Sequence, residues 1–282
     1  AALEVVLLSM ALADRINALK DERAMILESA RAELEQLNRE LAESNRLKDE
    51  FLSNISHELR TPMMGVMGAL ELLPTSESAD ELQQYQHIAT GSARDMMRLV
   101  NNILALSELR AGKLRPRIGE FRLRQMAERL HQQFAPAAQE KGLEFELEVA
   151  ANLPDRVFGD GEKLEQSLTH LLDNALKFTS RGHITLRFGG EPGQHHLLLQ
   201  AEVIDTGIGF SDADEAFLYH QFRQVDGSMT RRYGGLGIGL AISRGLLEVI
   251  GGQLDQQSRP GLGSRFRISV RLALLDPHQA IA

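Results

Sequence analysis

At 282 residues, with 43% hydrophobic and 25% charged side chains, the chain has the length and balance of a two-domain globular protein. A net charge of −8 gives no electrostatic case for nucleic acid as a partner, and the absence of cysteine excludes disulfides and thiolate metal sites. With no tryptophan and 5% aromatics, the core falls to Leu, Ile, Val, Ala and Met.

Residues 1–16 are the one membrane-like piece, apolar from Ala1 to Ala13 apart from Glu4 and Ser9. A spanning helix needs about 20 apolar residues, so this stretch cannot cross a bilayer alone. It also lacks the basic start and the cleavage site of a signal peptide. It reads as the end of a truncated transmembrane helix or as a buried amphipathic helix.

Residues 17–46 form a predicted coiled coil. Asp14 to Glu50 contains neither Pro nor Gly, and Leu27, Ala30, Leu34, Leu37, Leu41, Ser44, Lys48, Phe51 and Ile55 step by threes and fours. That is a heptad seam. After Phe51 the steps become four and four, a stutter that locally unwinds a coil. It transmits motion, or simply marks a change of packing partner.

The stretch Ser56-His57-Glu58-Leu59-Arg60-Thr61-Pro62 lies on a predicted amphipathic helix with apolar positions at 52, 55, 59, 66, 70 and 73. His57 projects from the opposite face. An exposed imidazole beside a carboxylate can act as a nucleophile, although a lone His-Glu pair equally describes a solvated surface. Pro62 is predicted to kink the helix, since it lacks an N–H and clashes with the carbonyl of residue 58. The helix runs to about Leu73. A turn rich in breakers follows over 74–80, then a second helix with Leu82, Tyr85, Ala89, Ser92, Met96, Leu99, Ile103 and Leu106 on one face, ending near Gly112. A lone hairpin cannot bury two such stripes, whereas two copies forming a four-helix bundle can, so residues 47–110 predict a homodimer. Glu81, Gln83 and Gln84 read as a solvated face.

Beyond residue 111 the pattern becomes mixed. Helices are predicted over 123–141, 160–178 and 237–250, and strands over 143–149, 184–188, 197–204, 253–257 and 264–272. The fold class is α+β: a coiled coil and dimeric helical bundle, then an α/β sandwich with helices on one sheet face.

Four local signals sit on this frame. In His170-Leu171-Leu172-Asp173-Asn174-Ala175-Leu176-Lys177-Phe178, Asn174 and Lys177 share a helix face, where an amide oxygen can ligate Mg²⁺ and a lysine can meet phosphate. Asp205-Thr206-Gly207-Ile208-Gly209 follows a strand, and its aspartate can accept from an exocyclic amine such as that of adenine. Gly234-Gly235-Leu236-Gly237-Ile238-Gly239-Leu240 opens a helix whose N–H groups can cradle phosphate. Gly261-Leu262-Gly263-Ser264-Arg265-Phe266 is weak alone, since a hairpin turn looks the same. No Walker A string occurs.

The order of these boxes is specific. With the His57 stretch and Phe222-Arg223-Gln224-Val225-Asp226-Gly227, it resembles bacterial sensor histidine kinases over roughly residues 47–274. The ATP-binding part is similar to the fold shared with Hsp90, MutL and gyrase, which lack the phosphoacceptor hairpin. Residues 7–17 resemble the exit of a membrane sensor found in some bacterial hybrid kinases.

The resemblance implies that ATP and Mg²⁺ are bound by residues 111–282 and that His57 attacks the γ-phosphate with Glu58 as base. It implies that Asn174 holds Mg²⁺, Lys177 contacts phosphate, Asp205 reads adenine, and Gly207, Gly209 and Ser264 also bind the nucleotide. Residues 210–234 would form a lid latched by Phe222, with Arg231 and Arg232 near the phosphates and Gly235, Gly237, Gly239 and Leu240 forming the second glycine loop. Thr61 matches the position that orients water when such kinases dephosphorylate a response regulator. The implied partners are a second copy and a response-regulator receiver domain, and the implied location is the cytoplasmic side of a bacterial inner membrane.

Two departures from the family pattern stand out. His170 replaces an Asn, and being four residues before Asn174 it is predicted to face the nucleotide cavity. Leu236 replaces a Thr near phosphate. A second function class follows from them: a catalytically weak regulatory module that pairs with another sensor histidine kinase through its helical bundle.

Overall fold

The computed structural model describes residues 2–76, 78–211 and 238–274. The chain divides into two units, residues 1–54 and 55–282. The described part of the first is helical throughout, the opening stretch of α1 (Ala2–Leu72). Along it Leu27, Leu34, Leu37 and Leu41 are each more than half exposed, as a coiled-coil seam without its partner strand would be. No helix among the described residues is long and apolar enough to cross a membrane.

The second unit begins on the same helix, which runs through Pro62 and ends in a short 3₁₀ turn, Leu73–Thr75. Helix α2 (Ala79–Arg110) then returns antiparallel. Ser78 caps it by accepting from the Glu81 N–H, and Gly112 closes it at φ 60°. Met63, Met64, Met67, Leu70, Met97 and Leu104 stand exposed on the hairpin.

The sandwich follows: β1 (Gly119–Arg122), α3 (Leu123–Glu140), β2 (Glu144–Val149), β3 (Arg156–Gly159), α4 (Gly161–Phe178), β4 (His183–Pro192), β5 (His196–Asp205), α5 (Gly239–Val249), β6 (Gln253–Arg259) and β7 (Gly263–Ala273). The seven described strands form one sheet in the order β1-β3-β7-β5-β4-β2, with β6 also paired to β7. All pairs are antiparallel except β2 with β4.

Alternation puts Ile184, Leu186 and Phe188, Leu197, Leu199, Ala201 and Val203, and Phe266, Ile268, Val270 and Leu272 on one buried face. Leu123, Met126, Leu130 and Phe134 of α3 and Leu164, Leu168, Leu171 and Leu172 of α4 cover it. The other face is polar: Arg187 bridges Glu148 and Glu202, and Arg267 meets Glu202 at 2.7 Å. Helices therefore lie on one face, as the pattern predicts. Strands β4 and β5 run longer than the periodicity predicts, and β1 and β3 escape it, because four residues cannot display a period. Asp160 caps α4: its carboxylate accepts from the Lys163 and Arg117 N–H groups and pairs with Lys163 Nζ at 2.7 Å. Burial alone would raise its pKa, but these donors bring it below the usual carboxylate range.

Candidate functional site

Three pieces of the site lie along the C-terminal half of α4. The first is the turn after β5. Asp205 ends that strand in register with Ser264 at the start of β7, and is only 6% exposed. Its Oδ1 accepts from the Gly207 N–H at 2.8 Å. Burial outweighs the donors from Gly207 and Ser264, so the carboxyl titrates above its ordinary range.

The turn is held against the protein's own backbone. Ile208 N–H donates to the Phe178 carbonyl at 3.3 Å, and Gly261 N–H to the Ile208 carbonyl at 2.7 Å. Gly209 adopts φ 62° and a Cβ there would strike the Arg259 carbonyl. Gly263, at φ 95°, would strike that of Asp205. Close approach at these glycines thus serves to bring β5, β6 and β7 together around the aspartate.

The second piece is α4 itself. Asn174 and Lys177 are both half-buried. Lys177 Nζ lies 4.9 Å from the centre of the Phe178 ring. Burial lowers the Lys177 pKa, opposed by the nearby Glu58 carboxylate. The third piece is the start of α5, where Gly239 lies against His170 and Leu240 packs on the core. Phe222, Arg231, Arg232, Gly235, Leu236 and Gly237 lie outside the described residues.

On α1, His57 and Thr61 are exposed and Glu58 is half-buried. The Thr61 hydroxyl donates to the His57 carbonyl at 3.3 Å. Glu58 is among the charges acting on Lys177, so the turn carrying His57 and the end of α4 lie within electrostatic range of each other.

His170 departs from expectation. Rather than facing a nucleotide cavity, it is buried at 6% exposure between α2 and α5, with Nε2 2.9 Å from Asn102 Oδ1 and Nδ1 3.3 Å from Ser243 Oγ. The contact to Oδ1 selects the Nε2–H tautomer, which donates to Asn102. Sharing a helical strip with Asn174 does not decide what each residue meets; at His170 two other helices cross the strip. Asn102, Ser243 and Arg98, which pairs with Asp173 at 2.8 Å, went unmarked in the sequence because they are ordinary helix residues.

Burial, reinforced by the positive charge of Arg98, lowers the His170 pKa from 6.5 to about 4. The folded protein therefore binds fewer protons than the unfolded chain between those values, and stability rises with pH across that window. As pH falls from 6.5 towards 4, up to roughly 3 kcal/mol is expected to be lost through this residue. Denaturant midpoints measured against pH should fall more steeply for the parent than for a His170→Gln variant. Parallel curves would show that this histidine does not carry the effect.

An exposed histidine on a helical hairpin, followed by a one-sided α/β sandwich with a buried aspartate at a glycine-rich turn, defines the class of two-part phosphotransfer proteins. Residues 47–112 match the His Kinase A (phospho-acceptor) domain, and residues 159–274 match the histidine kinase-, DNA gyrase B- and HSP90-like ATPase family. The chain belongs to the sensor histidine kinases.

It is 40% identical over 247 residues to the sensor protein GacS of Pseudomonas syringae pv. syringae, covering 87% of this chain and 27% of that protein. It is 35% identical over 249 residues to the signal transduction histidine-protein kinase BarA of Escherichia coli K12, covering 88% and 27%. The chain thus spans about a quarter of the length of these relatives. Among solved structures, full-length ShkA in complex with AMPPNP superposes with a TM-score of 0.58 at 28% identity, over 79% of this chain and 45% of that one.

Proposed function

We propose that this chain is the autokinase region of a two-component sensor: His57 takes the γ-phosphoryl group of ATP and passes it to an aspartate of a response-regulator receiver domain. The observation that carries the reading is the exposed His57 on a helical turn whose Glu58 bears on Lys177, at the end of the helix that also borders the Asp205 turn. In this reading residues 47–110 are the phosphotransfer hairpin and 111–282 the catalytic domain. Residues 17–46 are the coil and 1–16 the end of a membrane helix.

Asp205, with Ser264 beside it, reads adenine; ShkA, which is similar in fold, was solved in complex with AMPPNP. Asn174 holds Mg²⁺ and Lys177 meets phosphate. No cluster of three or more His, Cys, Asp or Glu able to hold a metal occurs among the described residues. A lone amide ligand fits a Mg²⁺ that takes its other ligands from nucleotide phosphates and water. The metal supplies charge neutralisation on those phosphates. Thr61 serves the opposing activity, orienting the water that hydrolyses the regulator's phosphoaspartate.

Incubation of the purified chain with γ-labelled ATP tests the reading: label should enter the protein and later move to a receiver domain. A second reading has one observation in its favour. Both ring nitrogens of His170 are engaged, by Asn102 and Ser243, so the residue in the family's Asn position has neither to offer a metal or phosphate in this arrangement. A chain that binds ATP yet takes no label would favour the regulatory module acting on another sensor histidine kinase.

Homodimerisation follows from the exposed methionines and leucines of the hairpin. Burying a fully exposed side chain of this kind gains about 1.5–3 kcal/mol, so several half-exposed ones on each copy give a strong drive to pair. Light scattering of residues 47–282 should report twice the monomer mass at micromolar concentration; a monomer would refute the pairing.

A further inference from the structure

The sandwich is docked on the hairpin of its own chain at a definite height. Gly65 of α1 lies against Ser92 of α2, where a Cβ would collide with the serine side chain, so these residues are level. Both helices rise 1.5 Å per residue in opposite directions. Moving an equal number of residues away from the turn brings His57 level with Val100. Arg98 and Asn102 flank that level, and they are the residues that hold the sandwich.

Arg98 Nη1 meets Asp173 Oδ1 at 2.8 Å while also pairing with Asp95, and Asn102 Oδ1 accepts from His170 Nε2 at 2.9 Å. Further along α2, Leu109 occupies the space above Gly245 of α5, where a Cβ would come within 2.9 Å of it. Breaking the Asn102 contact would leave His170 with a buried unpaired donor, a cost of about 1–3 kcal/mol. None of these contacts involves a residue assigned to the nucleotide site, and together they carry the helix bearing Asn174 and Lys177 to the height of His57.

Building on the autokinase reading, we propose that Arg98 and Asn102 are positioning residues that dock the ATP-binding domain beside the histidine of its own chain, so that His57 is phosphorylated in cis. A ring nitrogen of His57 attacks the γ-phosphorus of ATP. The P–N bond forms as the bond from that phosphorus to the β–γ bridging oxygen breaks. ADP leaves with the bridging oxygen, and the proton displaced from the ring passes to Glu58. Such transfer depends on position: a misplacement of about 1 Å costs on the order of 10²-fold in rate.

This chain has no cysteine, so its Asn102→Cys/His170→Cys variant carries only two thiols. A short bismaleimide should yield a product that migrates as a monomer on a denaturing gel; a covalent dimer as the main product would overturn own-chain docking. Heterodimers of a His57→Ala chain with an Asp205→Ala chain, isolated through two different tags, should take no label from γ-labelled ATP. Label on the Asp205→Ala chain at the parent's rate would overturn transfer in cis.

Arg98→Ala, at an exposed position, and Arg98→Ala/Asn102→Ala should lower kcat for autophosphorylation, the double variant by roughly tenfold or more, with KM for ATP unchanged. An unchanged kcat in the double variant would overturn the positioning role. If the parent itself takes no label, the autokinase reading falls and the transfer claim with it, whereas the cross-link still decides the docking.

Discussion

A His57→Ala chain should take no label from γ-labelled ATP while folding and binding ATP like the parent. Of the seven histidines among the described residues, His57 alone joins an exposed ring to an adjacent carboxylate on the turn that approaches Lys177. His170 cannot substitute for it, because it is buried with both ring nitrogens engaged. Alanine at an exposed helix position favours the helix, so the melting temperature should hold within the small range expected of surface changes. Glu58→Gln keeps the shape of the side chain and removes the base. It should slow labelling by about 10²–10⁴-fold, the usual contribution of a positioned general base, with ATP affinity unchanged. Persistent label on the His57→Ala protein would move the acceptor elsewhere, and an unaffected Glu58→Gln rate would remove the base role.

Asp205→Asn should weaken ATP binding by roughly 10- to 150-fold, the equivalent of losing a charged hydrogen bond worth about 1.5–3 kcal/mol. The carboxylate is buried at the end of β5, accepts from Gly207 and stands beside Ser264. An asparagine there keeps one acceptor oxygen but brings an NH₂ group, which sets donor against donor if it faces an adenine amine. Stability should change little, since the carboxyl already pays a desolvation penalty that its neutral replacement avoids. Calorimetry on the folded variant is the measurement. Unchanged affinity would take Asp205 out of the adenine site, and failure of the parent to bind would favour the regulatory module.

Much of this molecule is written locally. Periodicity of 3.6 marks α2, α3 and α4, and alternation marks β2, β4, β5 and β7, because each buries one face against a core and the pattern records which. The His57 stretch and the Asp205 turn are legible for a related reason: a reactive group needs particular neighbours within a few residues, and those are adjacent in the chain. Other features exist only once the chain has folded. Strands β1 and β3 are too short to show a period and are defined by the partners they pair with. His170 has the helical spacing of a nucleotide-facing residue, yet its environment is set by Asn102 and Ser243, 68 and 73 residues away. Arg98 looks like any solvated arginine until α2 meets α4 and gives it Asp173. Sequence alone determined which residue types stand where local chemistry needs them, because covalent neighbours are given by the chain. Only the tertiary structure decided which helix crosses which, and hence that the residue standing in the family's Asn position holds two domains together.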